Sequence, residues 1–339
     1  MNVDSDLRPS RLPRRLWSLL LLLVLVGGCD IDDEFPDCNY NARIDFFYTL
    51  DGQANVLPLY IHRMTDYVFD ANHTLIEIHT RERQSAQSYR GLQLPPGQYS
   101  VVSWGNARDA TTIVPAQIGH TRLDEMMLYL DNPVDAIRKR TAADLVTHSN
   151  ADKLYYGCCD IEVKPQGISR GWIEMTHSHC RLGITVKWKR GAPLDTQDFH
   201  MELRDIAGTY RFTAKQEIPN PYHPPGYAPG FYAIPQEGTT RVNHWLNTEM
   251  SITRAVKGEF VTLRLTNDDH PIFCLYAGEK AVMKEIDLHK YFTTMQITLD
   301  RNLRQEFDLV MEVQPDGTVI VSPARISDWQ QGESIGGGI

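Results

Sequence analysis

The stretch LQLPPGQYSVVSWGN, residues 92–106, carries the strongest structural signal in the chain. Pro96 fixes φ at about −65° in the second position of a turn, and Gly97 can supply the positive φ of the third, so the pair predicts a type II turn. Residues 99–104 are rich in β-branched and aromatic side chains, which favour extended backbone. A Gly-Asn pair at 105–106 ends the predicted strand. A turn that leads into a short apolar strand is typical of an all-β protein.

Alternating apolar and polar residues, the period of a half-buried strand, recur on both sides of this stretch. In RIDFFYTL, Ile44, Phe46 and Tyr48 occupy alternate positions. TDYVFDANHTLIEIHT, residues 65–80, places turn residues between two apolar runs and predicts a hairpin. Further strands are predicted in WIEMTHSHCRLGITVKW (172–188), EFVTLRLTN (259–267), MQITLDR (295–301), EFDLVMEV (306–313) and GTVIVS (317–322), and KEIDLHKYF (284–292) is the best helical candidate.

The segment VKPQGISRG, residues 163–171, has the proline and glycine composition of a linker between domains. A chain of 339 residues is long enough for two domains of ordinary size. We therefore predict an all-β fold of two tandem β-sandwich domains with few short helices. The predicted limits are 37–168 for the N-terminal domain and 169–330 for the C-terminal domain, followed by a flexible tail at 331–339.

The N-terminal region has the features of an export signal. Four arginines precede an apolar run from Leu16 to Val26, which falls short of the ~20 residues that a membrane-spanning helix needs. Two glycines directly precede Cys29, an arrangement that resembles the bacterial lipobox. We predict that residues 1–28 are a lipoprotein signal peptide, that Cys29 carries lipid, and that residues 29–36 form an acidic tether. An uncleaved anchor or a plain signal peptide is the alternative.

Charge and motifs bear on the class of function. The formal net charge is −9, and no basic run follows the predicted signal peptide. Because phosphate contacts dominate affinity for nucleic acid, this composition argues against a nucleic-acid partner. The sequence has no P-loop, H-E-x-x-H or Rossmann glycine pattern. We therefore predict no catalytic residues and a protein that is not an enzyme.

Cysteine and histidine residues cluster between positions 158 and 180, and these residue types bind zinc. On a strand, His177 and His179 share one face while Cys180 points to the other, and two adjacent cysteines cannot easily aim both thiols at one ion. We therefore predict no metal site and no cofactor besides the covalent lipid. An exported location permits disulfides without requiring them. The pairing stays open among Cys38, Cys158, Cys159, Cys180 and Cys274.

An aromatic and proline-rich loop is predicted at 221–235, within NPYHPPGYAPGFYAIP. Aromatic rings stack on sugars and on proline-rich peptides, so a surface site for glycan or peptide is the alternative function. A loop that folds over the open end of its own sandwich would explain the same residues. The candidate ligand-binding residues are Tyr222, Tyr227, Phe231 and Tyr232.

The order of the motifs carries a family resemblance. A lipobox is followed by YVFDANHTL, LPPGQYSVVSWGN, RLGITVKW and GTVIVSPARISDW. This order resembles the fimbrillin-associated anchor lipoproteins, the FimB-type anchor subunits of Bacteroidetes fimbriae, over about residues 29–330. The resemblance implies two transthyretin-like β-sandwich domains and a lipidated Cys29. It also implies that Trp104 and Trp329 occupy motif positions with a packing role.

The resemblance further implies a lipoprotein of the cell outer membrane that faces the exterior, anchors a fimbria at its base and supports cell adhesion. Its expected partners are fimbrial stalk subunits, bound by β-strand addition, and the outer membrane, bound through lipid. The tail QQGESIGGGI lacks the alternating apolar residues that a donated strand needs, which favours an end subunit over a stalk subunit. The identity of the stalk subunit, the adhesion target and the direction of strand donation stay open.

Overall fold

Strands dominate the part of the chain that the computed structural model describes, which comprises residues 39–49, 54–82, 88–134, 146–191, 198–220, 231–251 and 253–326. Within these residues there are twenty-two β-strands, two short α-helices and one 3-10 helix. The predicted signal peptide, Cys29, the acidic tether and the tail lie outside the described residues, as do Cys38 and Trp329. No helix in the described segments is long and apolar enough to cross a membrane.

The first half of the chain forms two sheets and parts of two others. Its elements are β1 (Ala42–Phe47), α1 (Leu57–Tyr60), β2 (Arg63–Phe69), β3 (Leu75–Glu82), β4 (Tyr89–Leu92), β5 (Gly97–Gly105), β6 (Thr111–Val114), β7 (Met127–Leu130), β8 (Thr147–His148), β9 (Tyr155–Val163), β10 (Ser169–Glu174) and β11 (Thr176–His177). Sheet 1 has the strand order β10-β1-β4, and sheet 2 has the order β11-β9-β5-β2-β3. Strand β1 runs parallel to β10 and antiparallel to β4.

The second half contributes the remaining strands. Its elements are β12 (His179–Trp188), β13 (Phe199–Ala207), β14 (Thr209–Pro219), β15 (Phe231–Glu237), β16 (Arg241–Thr248), β17 (Ala255–Leu263), β18 (Ile272–Ala277), β19 (Lys280–Ala281), β20 (Ile286–Asp287), α2 (Leu288–Thr294), a 3-10 helix (Leu299–Arg301), β21 (Gln305–Val313) and β22 (Val319–Ile326). Sheet 3 has the order β17-β12-β21-β22, sheet 4 the order β19-β18-β13-β16-β8 with β20 beside β18, and sheet 5 the order β15-β14-β7-β6. The predicted all-β fold with few short helices is confirmed.

Strand β5 is buried on both faces. Tyr99 and Val101 belong to a smaller core between sheets 1 and 2, whereas Val102 and Trp104 belong to a larger core that includes residues of β12, β13, β17 and β21. A strand covered on both sides has a nearly continuous apolar sequence instead of a simple alternation. This explains why residues 99–104 carry the strongest strand signal in the chain.

Trp104 has the packing role that was predicted for it. Its side chain is 0% exposed, and its ring centroid lies 4.9 Å from that of Tyr156 and 5.7 Å from that of Tyr210. The strand ends at Gly105 and is followed by Asn106, which has a positive φ of 60°. The Asn106 side-chain oxygen accepts the backbone N–H of His62 at 2.8 Å, so a short polar side chain fastens the end of β5 to the start of β2.

Two local predictions are wrong. Gly97 does not have the positive φ of a type II turn, because it is the first residue of β5 and pairs with Val163 in the ladder. MQITLDR, residues 295–301, is not a strand. The backbone N–H of Met295 donates to Tyr291 O and that of Gln296 donates to Thr293 O, so this segment hydrogen-bonds to the helix before it. Helix α2 (Leu288–Thr294) overlaps the predicted helix at 284–292, but Ile286 and Asp287 form β20 instead.

The segment predicted as a linker connects β9 to β10 through residues 164–168. Strand β10 then pairs with β1 from Ala42↔Ser169 to Phe47↔Glu174, and β11 pairs with β9. The chain therefore returns to sheets 1 and 2 before β12 begins at His179. The division at 168 and the domain limits 37–168 and 169–330 stay predictions, and the larger core contains residues from both ranges.

Candidate functional sites

The aromatic segment at 221–235 is described only from Phe231 onward. Residues 231–235 belong to β15 instead of a loop, because β15 pairs with β14 as far as Phe231↔Pro219. The Phe231 side chain is 41% exposed, whereas Tyr232 is 1% exposed and lies inside the protein. The Tyr232 ring is thus unavailable to an external ligand. Tyr222 and Tyr227 lie outside the described residues.

The cysteines of the 158–180 cluster point in different directions. Cys158 packs against the larger core and Cys159 against the smaller one, because neighbouring residues of a strand face opposite sides. Cys180 is buried in the larger core. Burial raises the pKa of the Cys158 thiol to about 11 and also raises the pKa of Cys159 and Cys180. These groups are neutral thiols at pH 7, and together with Cys274 they form no disulfide within the described residues.

His177 and His179 lie side by side on the face that their spacing predicts. Both side chains are 1% exposed, and their ring centroids are 4.5 Å apart in a stacked arrangement. Tyr48 stacks on His177 at 5.8 Å, and Tyr155 meets the edge of both rings. Burial lowers the pKa of His177 well below its ordinary value and that of His179 to about 4. Both imidazoles are therefore neutral at pH 7.

Glu306 joins the histidine pair from a distant part of the sequence. Strands β12 and β21 run parallel with Arg181 opposite Glu306, so Glu306 lies on the same face of sheet 3 as His179. One ligand atom from each of His177, His179 and Glu306 lies within 4.8 Å of the other two. Sequence reasoning missed Glu306, because it occupies an ordinary strand position and only the β12–β21 pairing brings it near the histidines.

Strand β22 ends sheet 3 and gives that sheet an edge. No described strand pairs with its outer side. Its register with β21 runs from Phe307↔Ile326 to Val313↔Val319, and Ile320, the second residue of β22, is 53% exposed. An edge strand offers unpaired backbone groups to an added strand, and exposed apolar side chains add contacts. Long strands such as β3 and β17 also lie at sheet edges, but neither has a large exposed apolar residue comparable to Ile320.

Comparison with known proteins identifies the family. The family model of the fimbrillin-A associated anchor proteins Mfa1 and Mfa2 matches residues 35–330. A curated relative, the minor fimbrium anchoring subunit Mfa2 of Porphyromonas gingivalis, is 22% identical over 93% of this chain and 94% of its own length. The family match includes all the residues that the structure describes. The resemblance found in the sequence motifs is confirmed.

Solved structures share the fold. The fimbrial anchor protein Mfa2 from Porphyromonas gingivalis superposes with a TM-score of 0.59 at 17% identity, covering 85% of this chain and 97% of that one. A candidate polysaccharide-binding protein from Bacteroides thetaiotaomicron gives a TM-score of 0.59 at 16% identity, covering 83% of this chain and 95% of that one. At these identities the superpositions establish the fold alone. From the family match over residues 35–330, the chain belongs to the fimbrillin-A associated anchor proteins Mfa1 and Mfa2.

Proposed function

We propose that this protein is an outer-membrane lipoprotein, exposed to the exterior, that anchors a fimbria at its base and so supports adhesion. The observation that carries the proposal is the family match over residues 35–330. The proposed attachment to the membrane is lipid on Cys29. Several acyl chains on one cysteine hold firmly, because each buried CH₂ contributes about 0.8 kcal/mol.

The proposed contact with the stalk is strand addition at β22. Strand β22 begins, directly after the turn that joins it to β21, with three apolar residues in a row, Val319, Ile320 and Val321. An extended segment of a stalk subunit would hydrogen-bond to the outer side of β22 and place alternate side chains against the sheet. Main-chain hydrogen bonds and apolar contacts depend little on salt, unlike contacts between surface charges.

The test is retention of filaments on the cell. Deleting the gene should leave stalk subunits produced but poorly held, so that filaments shed into the medium. Stalk–stalk contacts keep the polymer intact, whereas only the basal subunit connects it to lipid. The acylated protein should also co-purify with stalk subunits at low and at high ionic strength. If no fimbrial subunit co-purifies, and deletion changes neither the amount nor the location of filaments, the anchor proposal fails.

A second candidate function is recognition of a glycan or peptide by the aromatic segment 221–235. Its support is the exposed ring of Phe231, together with the fold shared with a candidate polysaccharide-binding protein. Replacing Phe231 by Ala should then weaken binding to a glycan array, whereas Ile118→Ala, which truncates another exposed apolar side chain, should not. Equal binding by the two variants and the unaltered protein would exclude Phe231 as a ligand contact.

A further inference from the structure

His177 is a buried polar side chain whose two ring nitrogens have no hydrogen-bond partner. A neutral imidazole has one N–H donor and one lone-pair acceptor, and burying either without a partner is unfavourable. Tyr48 and Tyr155 pack against the His177 ring. The ring is therefore well packed, yet its polar atoms are unsatisfied. Such a group in a native structure calls for an explanation, and a role in binding an ion is one of the ordinary ones.

The neighbouring His179 is oriented as metal-binding histidines are. Its Nδ1 lies 2.9 Å from the carbonyl oxygen of Leu154, and since a carbonyl can only accept, Nδ1 carries the proton. The lone pair of His179 is then on Nε2. A backbone carbonyl that fixes one ring nitrogen, so that the other can bind a cation, is the usual outer partner of a histidine ligand.

Glu306 supplies the third donor and a route to solvent. Its side chain is 17% exposed, whereas the two histidines are 1% exposed, so an ion could enter from the Glu306 side. The ligand atoms lie within 4.8 Å of one another. A tetrahedral ion with bonds of about 2.0–2.1 Å needs donors about 3.3 Å apart, so the separations between the ligand atoms must shorten by at most about 1.5 Å. The flexible Glu306 side chain can make much of that movement.

We propose that His177, His179 and Glu306 form a binding site for a divalent transition-metal ion, with Zn²⁺ the best match to the donor set. Two imidazole nitrogens and one carboxylate oxygen suit Zn²⁺, whereas Ca²⁺ and Mg²⁺ prefer oxygen ligands alone. The ion would connect β11 of sheet 2 to β12 and β21 of sheet 3. Its role would be to tie the two sheets together, and a water molecule would complete the coordination.

Three cationic side chains near the site, Arg304, Arg264 and Lys153, oppose a cation. Arg304 Nε lies 3.4 Å from Glu306 Oε2, and Arg264 donates to the carbonyl oxygen of His177 at 2.9 Å. Arg304 is the direct competitor, because it pairs with the carboxylate that would bind the ion. The Arg304 side chain is 20% exposed, and its guanidinium also lies 6.0 Å from the ring centroid of Tyr60. The arrangement therefore predicts that removing the charge of Arg304 strengthens metal binding.

The experiment uses the full chain extracted in detergent, treated with a chelator and titrated with Zn²⁺ or Co²⁺. Zn²⁺ binding is followed by calorimetry, and Co²⁺ binding by the visible absorption of a tetrahedral complex. We expect one equivalent per chain. Glu306→Gln should weaken Zn²⁺ binding at least tenfold, and Arg304→Gln should strengthen it severalfold. Circular dichroism of each variant checks that it is folded.

The matched control is His244→Gln. His244 is also fully buried and also has Nδ1 on a backbone carbonyl, that of Ser149 at 2.9 Å, but it lies outside the cluster. This variant should bind Zn²⁺ as the unaltered protein does. The proposal is overturned if neither the unaltered protein nor Arg304→Gln binds Zn²⁺ stoichiometrically, or if folded Glu306→Gln binds as tightly as the unaltered protein. Loss of binding in His244→Gln would likewise overturn it, since the ion would then lie elsewhere.

Discussion

At the residue scale, Trp104 shows how one side chain can belong to a sequence motif and to the centre of the core. It belongs to β5 and is fully buried against aromatic residues of β9 and β14. Trp104→Ala should lower the free energy of unfolding by about 3–5 kcal/mol, because a large cavity forms in close-packed surroundings. Denaturant unfolding measures this loss. Trp104→Phe retains an aromatic ring and should lose much less, so equal losses in the two variants would contradict a packing role.

Glu174 shows how burial makes stability depend on pH. Its side chain is 4% exposed and accepts hydrogen bonds from the backbone N–H and the hydroxyl of Thr49 at 3.0 and 2.7 Å. Burial raises the pKa of Glu174 from 4.5 to about 7, against the opposing effect of these hydrogen bonds. The folded state thus holds the proton more tightly than the unfolded state. The contribution of Glu174 to the free energy of unfolding is therefore complete below pH 4.5 and is lost as the pH rises to about 7.

The expected consequence is a pH-dependent gain on replacing Glu174 by Gln. The amide can still accept hydrogen bonds from Thr49 and cannot ionise. Relative to the unaltered protein, Glu174→Gln should gain up to about 3 kcal/mol in unfolding free energy between pH 4.5 and pH 8. Denaturant unfolding at several pH values gives this difference. Glu162→Gln, at an exposed position of β9, is the control. If the difference between the variant and the unaltered protein does not change with pH, the pKa of Glu174 is the same in the folded and unfolded states, and the prediction is wrong.

At the scale of secondary-structure elements, the β22 edge is the proposed contact with the stalk. Ile320 is 53% exposed at this edge, and Ile168, in the turn between β9 and β10, is 52% exposed. Ile320→Lys should reduce co-purification with stalk subunits several-fold, because a charge would replace an apolar contact of the added strand. Ile168→Lys makes the same chemical change away from the edge and should have little effect. Equal effects would place the stalk contact elsewhere.

Helix α2 shows how an element can be short yet well defined. Asp287 precedes the helix, and its side chain accepts the backbone N–H of His289 at 2.9 Å. Leu288, Tyr291 and Phe292 are buried against the larger core. An N-terminal cap and an apolar face are the two features that hold a helix this short in place. Both features lie within KEIDLHKYF, so the sequence predicted the helix, although Ile286 and Asp287 form β20 and the helix begins only at Leu288.

At the scale of the whole molecule, the proposed function depends on the lipid. Cys29→Ala should leave a folded protein and move it from the outer-membrane fraction to the soluble fraction, because acyl chains are the proposed source of membrane affinity. Cell fractionation and circular dichroism measure the two properties. Cys38→Ala, which removes the next cysteine along the chain, should stay with the membrane. Unchanged fractionation of Cys29→Ala would contradict the lipoprotein proposal.

Local sequence was sufficient for the strand content, the β2–β3 hairpin, helix α2 and the family. In the hairpin, Asp70 accepts the backbone N–H groups of Asn72 and Thr74, both at 2.9 Å, so the turn is made by its own residues. Burial of alternate residues likewise follows from the two-residue period of a strand. The family followed from motif order, because strand and turn residues occur in this chain in the order that the family shares. The lipid on Cys29 stays a prediction.

Tertiary structure decided what depends on pairing between distant segments. Gly97 is extended because Val163 pairs with it, and Tyr232 is buried because β15 joins β14. The parallel pairing of β12 with β21 places Glu306 beside His177 and His179, and β10 returns to β1 at the segment predicted as a linker. A strand's period specifies which residues share a face, but not which strand lies beside it. The neighbouring strand is selected by burial over the whole core, and that selection brings His177, His179 and Glu306 together.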